Sequence, residues 1–506
     1  MITDKVYKWC KQSATVTSEL GEDPSQCPTK VFKKLYESHD HDLHSNESGD
    51  SLGISADGTS SFEQIDHLQR ALACGNWGPS EPSELFLTIY GDAISSLEKS
   101  PTSGVVSPPL MGSTGVVPLT IVAPLPDLCR HLANCIARAK YEVFLATNFW
   151  IHSDASTLVT NAIKELSKRA GQRGERIVMK MVYDRGDPRQ AWENRLSVPE
   201  DQYSGGKVRL PSAEDIPNVD LQVINFHRPV FGTFHSKFTV IDRRIALLQS
   251  SNIQDNDNLE MLTHIEGPIV DSFYDAALLS WGNPLDPPFP LLKSAARNAP
   301  IPCQEPEGAG LSLNKETDIL AEHTTTSPCY DINLEQEAQR INGRIYSSGE
   351  GSRTGGVTRH LNTTIQPDTI GDSPEIDQDI EMTPYMTLPE HEPVAMALVN
   401  REPYGEPLLQ PLLNAIRRGV VVSCYLCLGY NDAGELLPFQ NGTNEMFANR
   451  LYNSLNSDEE KMRLRVFYYV GKDQTKPIHN QFKKRSCHIK LMIVDEQIAI
   501  QGLSEA

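Results

Sequence analysis

Two stretches of this 506-residue chain carry the same residue types at the same spacing. His235-Ser236-Lys237 is followed by Phe238-Thr239-Val240-Ile241 and then Asp242, and His488-Ile489-Lys490 by Leu491-Met492-Ile493-Val494 and then Asp495. The first runs on to Gln249-Ser250-Ser251-Asn252 and the second to Gly502-Leu503-Ser504-Glu505. In each copy the histidine and lysine stand two residues apart on an alternating, strand-like run, so both should project from one face. One such pair is most simply a half-buried imidazole beside a solvated lysine. Two in corresponding positions point to phosphate chemistry, because a tetrahedral anion needs fixed positive charge and hydrogen bonds on its oxygens. The lysines supply the charge and Asn252 an amide. Two imidazoles can divide the chemistry, one attacking phosphorus and the other protonating the leaving oxygen. This chemistry requires no metal and no organic cofactor, and no carboxylate cluster shows metal-ligand spacing. Asp255 and Asp257 invite a calcium reading, but turn or cap roles suit them better.

The elements that must position these pairs recur in order. From about residue 119, an amphipathic helix (127–138) precedes a short strand (142–147), a helix through Leu158, Val159, Ala162, Ile163 and Leu166, and a strand over 177–183. A strand over 221–226 then leads into the first His-x-Lys, and Asp271 or Ser272 should cap a helix over 273–281. After residue 392 the order returns. A strand at 394–399 matches that at 142, the helix through Leu408, Leu409, Leu412, Leu413 and Ile416 matches that at Leu158, and a strand at 420–428 matches 177–183. A helix (446–455) and a strand (464–470) then lead to the second His-x-Lys. An internal duplication of about 150 residues per unit is the reading, each unit alternating strand and helix. The expected fold is an α/β/α sandwich of two similar lobes, 119–290 and 393–506. Before them lies a region of mixed helix and mobile loop, 1–118. Between them, 291–392 is rich in Pro, Thr, Ser and acidic residues with little periodicity and reads as a disordered insert. Two-fold packing of the lobes would bring the two His-x-Lys pairs together.

In two copies, His-x-Lys-x4-Asp with a Gly-Ser-x-Asn tail resembles the signature of the phospholipase D superfamily, and the chain is similar to a fungal-type, stand-alone member over 120–290 and 393–506. The resemblance implies a phosphodiesterase that hydrolyses or transphosphatidylates phospholipids, with cardiolipin-synthase-like transfer as an alternative. It implies a catalytic set of His235, Lys237, Asp242, His488, Lys490 and Asp495. His235 would form a phosphohistidine, and His488 would act as general acid and then activate water or an alcohol. Motif order alone makes that assignment, and the reverse stays open. Lys237, Lys490, Ser250 and Asn252 would hold the phosphate, while Asp242 and Asp495 would orient elements of the site. Two departures stand out. Gln249 replaces Gly in the first tail. Leu503 and Glu505 replace Ser and Asn in the second, placing a carboxylate where a phosphate-facing amide belongs. No counterpart of the helix at 273–281 follows, so the expectation is a sequence truncated at its end. A catalytically impaired phosphate- or lipid-binding protein is the competing reading.

Composition narrows the setting. A hydrophobic content of 39% and a charged content of 22% are those of an ordinary globular protein, and the formal charge of −20 argues against a nucleic-acid coat. Basic residues do collect near the pairs, at Arg185, His227 and Arg228 and at Lys472, Lys476, Lys483, Lys484 and Arg485. They could form a positive mouth for an anionic head group. The first residues lack a signal-peptide core, no run reaches the roughly 18 apolar residues of a membrane span, and ten cysteines lie scattered. The expectation is a cytoplasmic protein or one held peripherally on an intracellular membrane. Cys424 and Cys427, three apart on a strand, point to opposite faces and read as core cysteines.

Overall fold

The computed structural model describes residues 2–37, 61–98, 101, 106–228, 232–256, 258–294, 392–399, 409–427, 443–469 and 486–502. The expected insert lies almost wholly outside the described residues, as do the polar stretch 39–60 and the lysines and arginine between 472 and 485.

Three short helices open the chain, α1 (Asp4–Lys11), α2 (Val16–Glu22) and α3 (Pro28–Tyr36), followed by α4 (Ser61–Ala73) and α5 (Glu84–Ser95). Thr3, Thr15 and Ser83 cap α1, α2 and α5, each hydroxyl accepting a first-turn N–H. Next come β1 (Gly112–Pro124), α6 (Leu125–Ala137), β2 (Glu142–Ala146), α7 (Asp154–Arg173) and β3 (Ile177–Tyr183). Then follow β4 (Arg195–Ser197), α8 (Glu200–Tyr203), β5 (Val219–Arg228), β6 (Gly232–Thr233), β7 (Phe238–Ile241), β8 (Ile245–Gln249), β9 (Leu259–Glu266) and α9 (Val270–Trp281). Beyond the insert lie β10 (Val394–Ala397), α10 (Leu409–Arg417), β11 (Val422–Cys427), α11 (Asn444–Asn453), α12 (Asp458–Arg463), β12 (Leu464–Tyr469), β13 (Leu491–Val494) and β14 (Ile498–Gln501).

A mixed ten-stranded sheet runs in the order β10-β1-β9-β8-β7-β2-β3-β5-β4, with β6 paired to β5. Its central strands β2, β3, β7 and β8 are buried throughout because helices cover both faces. Val143 and Leu145 of β2 pack with α6 and α7, whereas Phe144 and Ala146 pack with α9 and the N-terminal helices. β1 passes straight through residue 118, and α1–α3 share the α9 core, so these described N-terminal helices belong to one layer of this sandwich. The helix expected at 273–281 starts earlier, at Val270, with no side-chain cap. Asp271 is drawn instead to the buried Arg243 at 2.6 Å, and the Ser272 hydroxyl donates to the Leu110 carbonyl at 2.5 Å.

Glu142, at the head of β2, faces the loop after α9, where its carboxylate accepts the Leu291 N–H at 2.7 Å. Burial pushes this carboxyl up to about 7 despite that bond. Between the unfolded carboxyl value of about 4.3 and 7, the folded chain then holds more protons than the unfolded chain, so stability falls as pH rises through that window. The expected loss from Glu142 is about 3 kcal/mol. Glu142→Gln keeps an acceptor for Leu291, so its unfolding free energy from urea titration should drop less between pH 5 and 8 by about that amount. Burial raises Asp242 and Asp275 as well, so each adds a pH dependence of the same sign. Equal drops in both proteins would rule this assignment out.

The second half keeps part of the expected order. β11 and β12 pair in parallel, as β3 and β5 do. β13 and β14 form an antiparallel hairpin like that of β7 and β8. The strand expected to match β2 does not join them. β10 pairs antiparallel with Gly112–Gly115 at the edge of the large sheet, leaving β11–β12 and β13–β14 as separate two-stranded sheets among the described residues. In the first half β2 joins β3 to β7; in the second no described strand takes that middle position.

Candidate active site

Both His-x-Lys pairs lie immediately before a hairpin strand rather than within it. Their local geometry repeats. The Lys237 ammonium donates to the His235 carbonyl at 2.9 Å, and that of Lys490 to the His488 carbonyl at 3.3 Å. The Gln249 N–H meets the Lys237 carbonyl at 3.1 Å, and the Gly502 N–H meets that of Lys490 at 3.0 Å. At the turns, Asp242 and Arg243, and likewise Asp495 and Glu496, take positive φ between 46° and 57°. Asp tolerates this region better than most side chains, which explains its place at the turn.

The first pair is tightly held. Lys237 is fully buried, with its Nζ 3.1 Å from Nδ1 and 3.3 Å from Nε2 of His235. The peptide before His235 is clamped on both sides: the Phe234 N–H donates to Asp184 at 2.8 Å, and Asn148 donates to the Phe234 carbonyl at 3.0 Å. Asp184 also takes the His227 ring at 2.9 Å. His227 thereby belongs to this clamp, while the Arg185 guanidinium donates to the Trp150 carbonyl at 3.3 Å. Among the sequence-flagged basic residues, the Arg228 side chain is outside the description.

The link between the two motifs is Glu260, which sequence reasoning missed. Ser250 Oγ donates to Glu260 Oε2 at 2.5 Å, and His488 Nδ1 bonds the same oxygen at 3.0 Å. Segment 486–488 is strapped along the start of β9: the Leu259 N–H donates to Ser486 O at 2.8 Å, the His488 N–H to Leu259 O at 2.8 Å, and Asn258 Oδ1 accepts from the Ser486 N–H at 3.0 Å. Buried Cys427 adds a tie, its thiol bonding the Cys487 backbone at 3.0 and 3.2 Å. The Thr263 hydroxyl donates to Gln501 on β14 at 2.6 Å. Thus Ser250, one residue beyond the Gln249–Lys237 bond, shares a carboxylate with His488. Glu260 was detectable as Asn258-x-Glu260 just past the first motif. β9 was not singled out because Glu260, His264 and Glu266 interrupt its apolar pattern.

Other sequence-flagged residues fall elsewhere. Ser250 also accepts the Met261 N–H at 2.8 Å, and its single proton is directed to Glu260. Asp242 lies at the far end of β7, accepting the backbone N–H groups of Lys140, Tyr141 and Glu142 at 2.7–3.0 Å. It locks the hairpin to β2, a positioning task. Asp495 occupies the same turn position but is exposed, because no described strand presents amides to it. Asp255 accepts the first N–H groups of α7, at 3.3 Å from Asp154 and 3.0 Å from Ala155, which makes it a helix cap. Asp257 is outside the described residues. Gln249 Nε2, Ser251 Oγ and Asn252 Oδ1 are buried with no hydrogen-bond partner among the described residues. Such atoms cost about 1–3 kcal/mol each, a cost that a bound polar ligand would offset.

No family model and no curated protein matches the chain. Among solved structures, it is similar to NucT from Helicobacter pylori at 20% identity and a TM-score of 0.22, over 33% of this chain and 97% of that one. It is similar to a phospholipase D family member, Nuc from Salmonella typhimurium, at 17% identity and a TM-score of 0.21, over 32% and 93% of the two chains. Phosphatidylserine synthase from Haemophilus influenzae aligns at 14% identity and a TM-score of 0.20, over 32% of this chain and 37% of its own.

Proposed function

We propose that the chain is a phosphodiesterase of the phospholipase D type, acting on phospholipids through a phosphohistidine intermediate, with two related lobes sharing one site. The observation that carries this reading is Glu260, which bridges Ser250 of the first motif to His488 of the second. The repeated hairpin bonds and the parallel β11–β12 pair support a duplicated origin. In the proposed cycle, His235 attacks phosphorus and the head-group oxygen leaves with a proton from His488. His488, now neutral, takes a proton from water or an alcohol, which attacks phosphorus and frees His235. Lys237 and Lys490 balance the charge on the phosphate oxygens. Glu260 keeps the proton on Nδ1 of His488 and leaves Nε2 for the reacting oxygen. A phospholipid is favoured over nucleic acid by the net charge of −20. Among the described residues no helix is long and apolar enough to cross a membrane. Contact with lipid is therefore proposed as peripheral, at an intracellular membrane. The exposed Asp495 turn favours, as a second reading, a binding protein with an impaired second half-site.

The test is turnover of phosphatidylcholine and phosphatidylglycerol vesicles by the full chain, with and without ethanol, beside single-stranded DNA. Head-group release together with phosphatidylethanol is expected. Cleavage of DNA alone, or vesicle binding without turnover, would overturn the lipid-enzyme reading.

A further inference from the structure

We propose that His131, Cys135 and His264 form a binding site for a single zinc ion, separate from the candidate active site and joining α6 to β9. His131 and Cys135 are four residues apart on α6 and so share one of its faces. His264 projects from β9 towards them. One ligand atom from each residue lies within 4.8 Å of the other two. His131 Nε2 is 3.0 Å from His264 Nδ1, and Cys135 Sγ is 3.6 Å from His131 Nε2.

Those separations suit a tetrahedral ion. With zinc–nitrogen bonds of about 2.0–2.1 Å and a zinc–sulfur bond of about 2.3 Å, the edges of the tetrahedron are about 3.3 Å for N–N and about 3.6 Å for N–S. The Cys135–His131 edge already matches, the histidine pair must open by about 0.3 Å, and the Cys135–His264 edge, within 4.8 Å, closes onto the ion. The outer shell is also in place. Glu266, on the same strand face, bonds His264 Nε2 at 3.0 Å. With the ring proton held there, Nδ1 presents its lone pair to the cluster. His264 is fully buried and Glu266 is 1% exposed, so an ion here would need its charge balanced locally. A Cys135 thiolate and the Glu266 carboxylate together cancel two positive charges. His131 is only partly buried, so the cluster has one side towards solvent. Two imidazoles and a thiolate select a borderline-soft ion over magnesium or calcium. No step of the proposed phosphodiester chemistry uses this ion.

The full chain, stripped with a chelator, should bind one equivalent of Co²⁺, giving visible bands of tetrahedral cobalt and a near-ultraviolet thiolate-to-cobalt band. Zinc should displace the cobalt. Cys135→Ser should abolish the thiolate band, His131→Asn should weaken binding at least about tenfold, and Glu266→Gln should weaken it about 10–100-fold. Circular dichroism of each stripped variant separates lost ligation from lost fold, and His131→Asn, at the half-buried position, is the variant expected to fold as the parent does. Absence of a thiolate band in the parent protein would overturn the proposal, leaving the three groups as a hydrogen-bonded chain. An unchanged band in Cys135→Ser would do the same by placing the cobalt on another of the ten cysteines.

Discussion

His235→Ala is expected to lose at least about 10⁴-fold in turnover of any phosphodiester, because removing a nucleophile leaves only binding and charge stabilisation. The matching change at the second motif should behave differently. With bis(p-nitrophenyl) phosphate the leaving phenolate needs little help from an acid, so His488→Ala should still carry out the first step. It would then stall, since the base that activates water is gone. A burst near one equivalent of p-nitrophenol, with the remaining p-nitrophenylphosphoryl group trapped on His235 and seen as a mass shift, is the expected signature. His235→Ala should show neither burst nor label. Label on His488 in His235→Ala would reverse the assignment. Two variants as active as the parent protein would remove the catalytic reading altogether. The backbone around His235 is fixed by Asp184 and Asn148 rather than by the imidazole, so His235→Ala should keep its fold and the loss can be read as chemistry.

Much of the first sandwich was legible because its strands are short, apolar and bounded by turns. The strand read at 177–183 is observed at Ile177–Tyr183, and the helix through Leu158 and Leu166 is observed as α7. Spacing within a segment also read well, since His235 and Lys237 do meet, whereas the turn that holds the Asp of each motif was not read. Pairing between distant segments did not read. The run at 394–399 is as apolar as β2, yet nothing in its composition says that its partner is the Gly112–Gly115 edge rather than β11. Ser250 was read as a phosphate ligand because its type fits, but its proton has one destination, and in three dimensions that is Glu260. Asp242 likewise serves three amides that lie about a hundred residues earlier in the chain. Glu260 and His264 escaped notice because polar residues on a buried strand face lower its apparent hydrophobicity, while the partners that justify them come from elsewhere in the chain.

Glu260→Gln should be the most informative change outside the His-x-Lys pairs. The carboxylate is 1% exposed and accepts the Ser250 hydroxyl while holding His488, so it acts on the chemistry only through the imidazole. Glutamine fills the same volume and still offers one acceptor oxygen. Its amide can instead present N–H to Nδ1, which moves the imidazole proton to Nε2 and leaves no lone pair there to activate water. Losing the carboxylate behind a catalytic imidazole costs about 10²–10⁴-fold in turnover. The loss should fall on kcat with KM nearly unchanged, and the pH–rate profile should change shape, neither of which a purely structural role would produce. Ser250→Ala supplies the contrast. It removes one bond to Glu260 but leaves the Glu260–His488 pair, so it should cost about 1 kcal/mol in stability and about tenfold or less in kcat. If Glu260→Gln instead retained the parent kcat, Glu260 would be a packing residue that happens to touch both motifs, and the two motifs would not be coupled through it in one shared site.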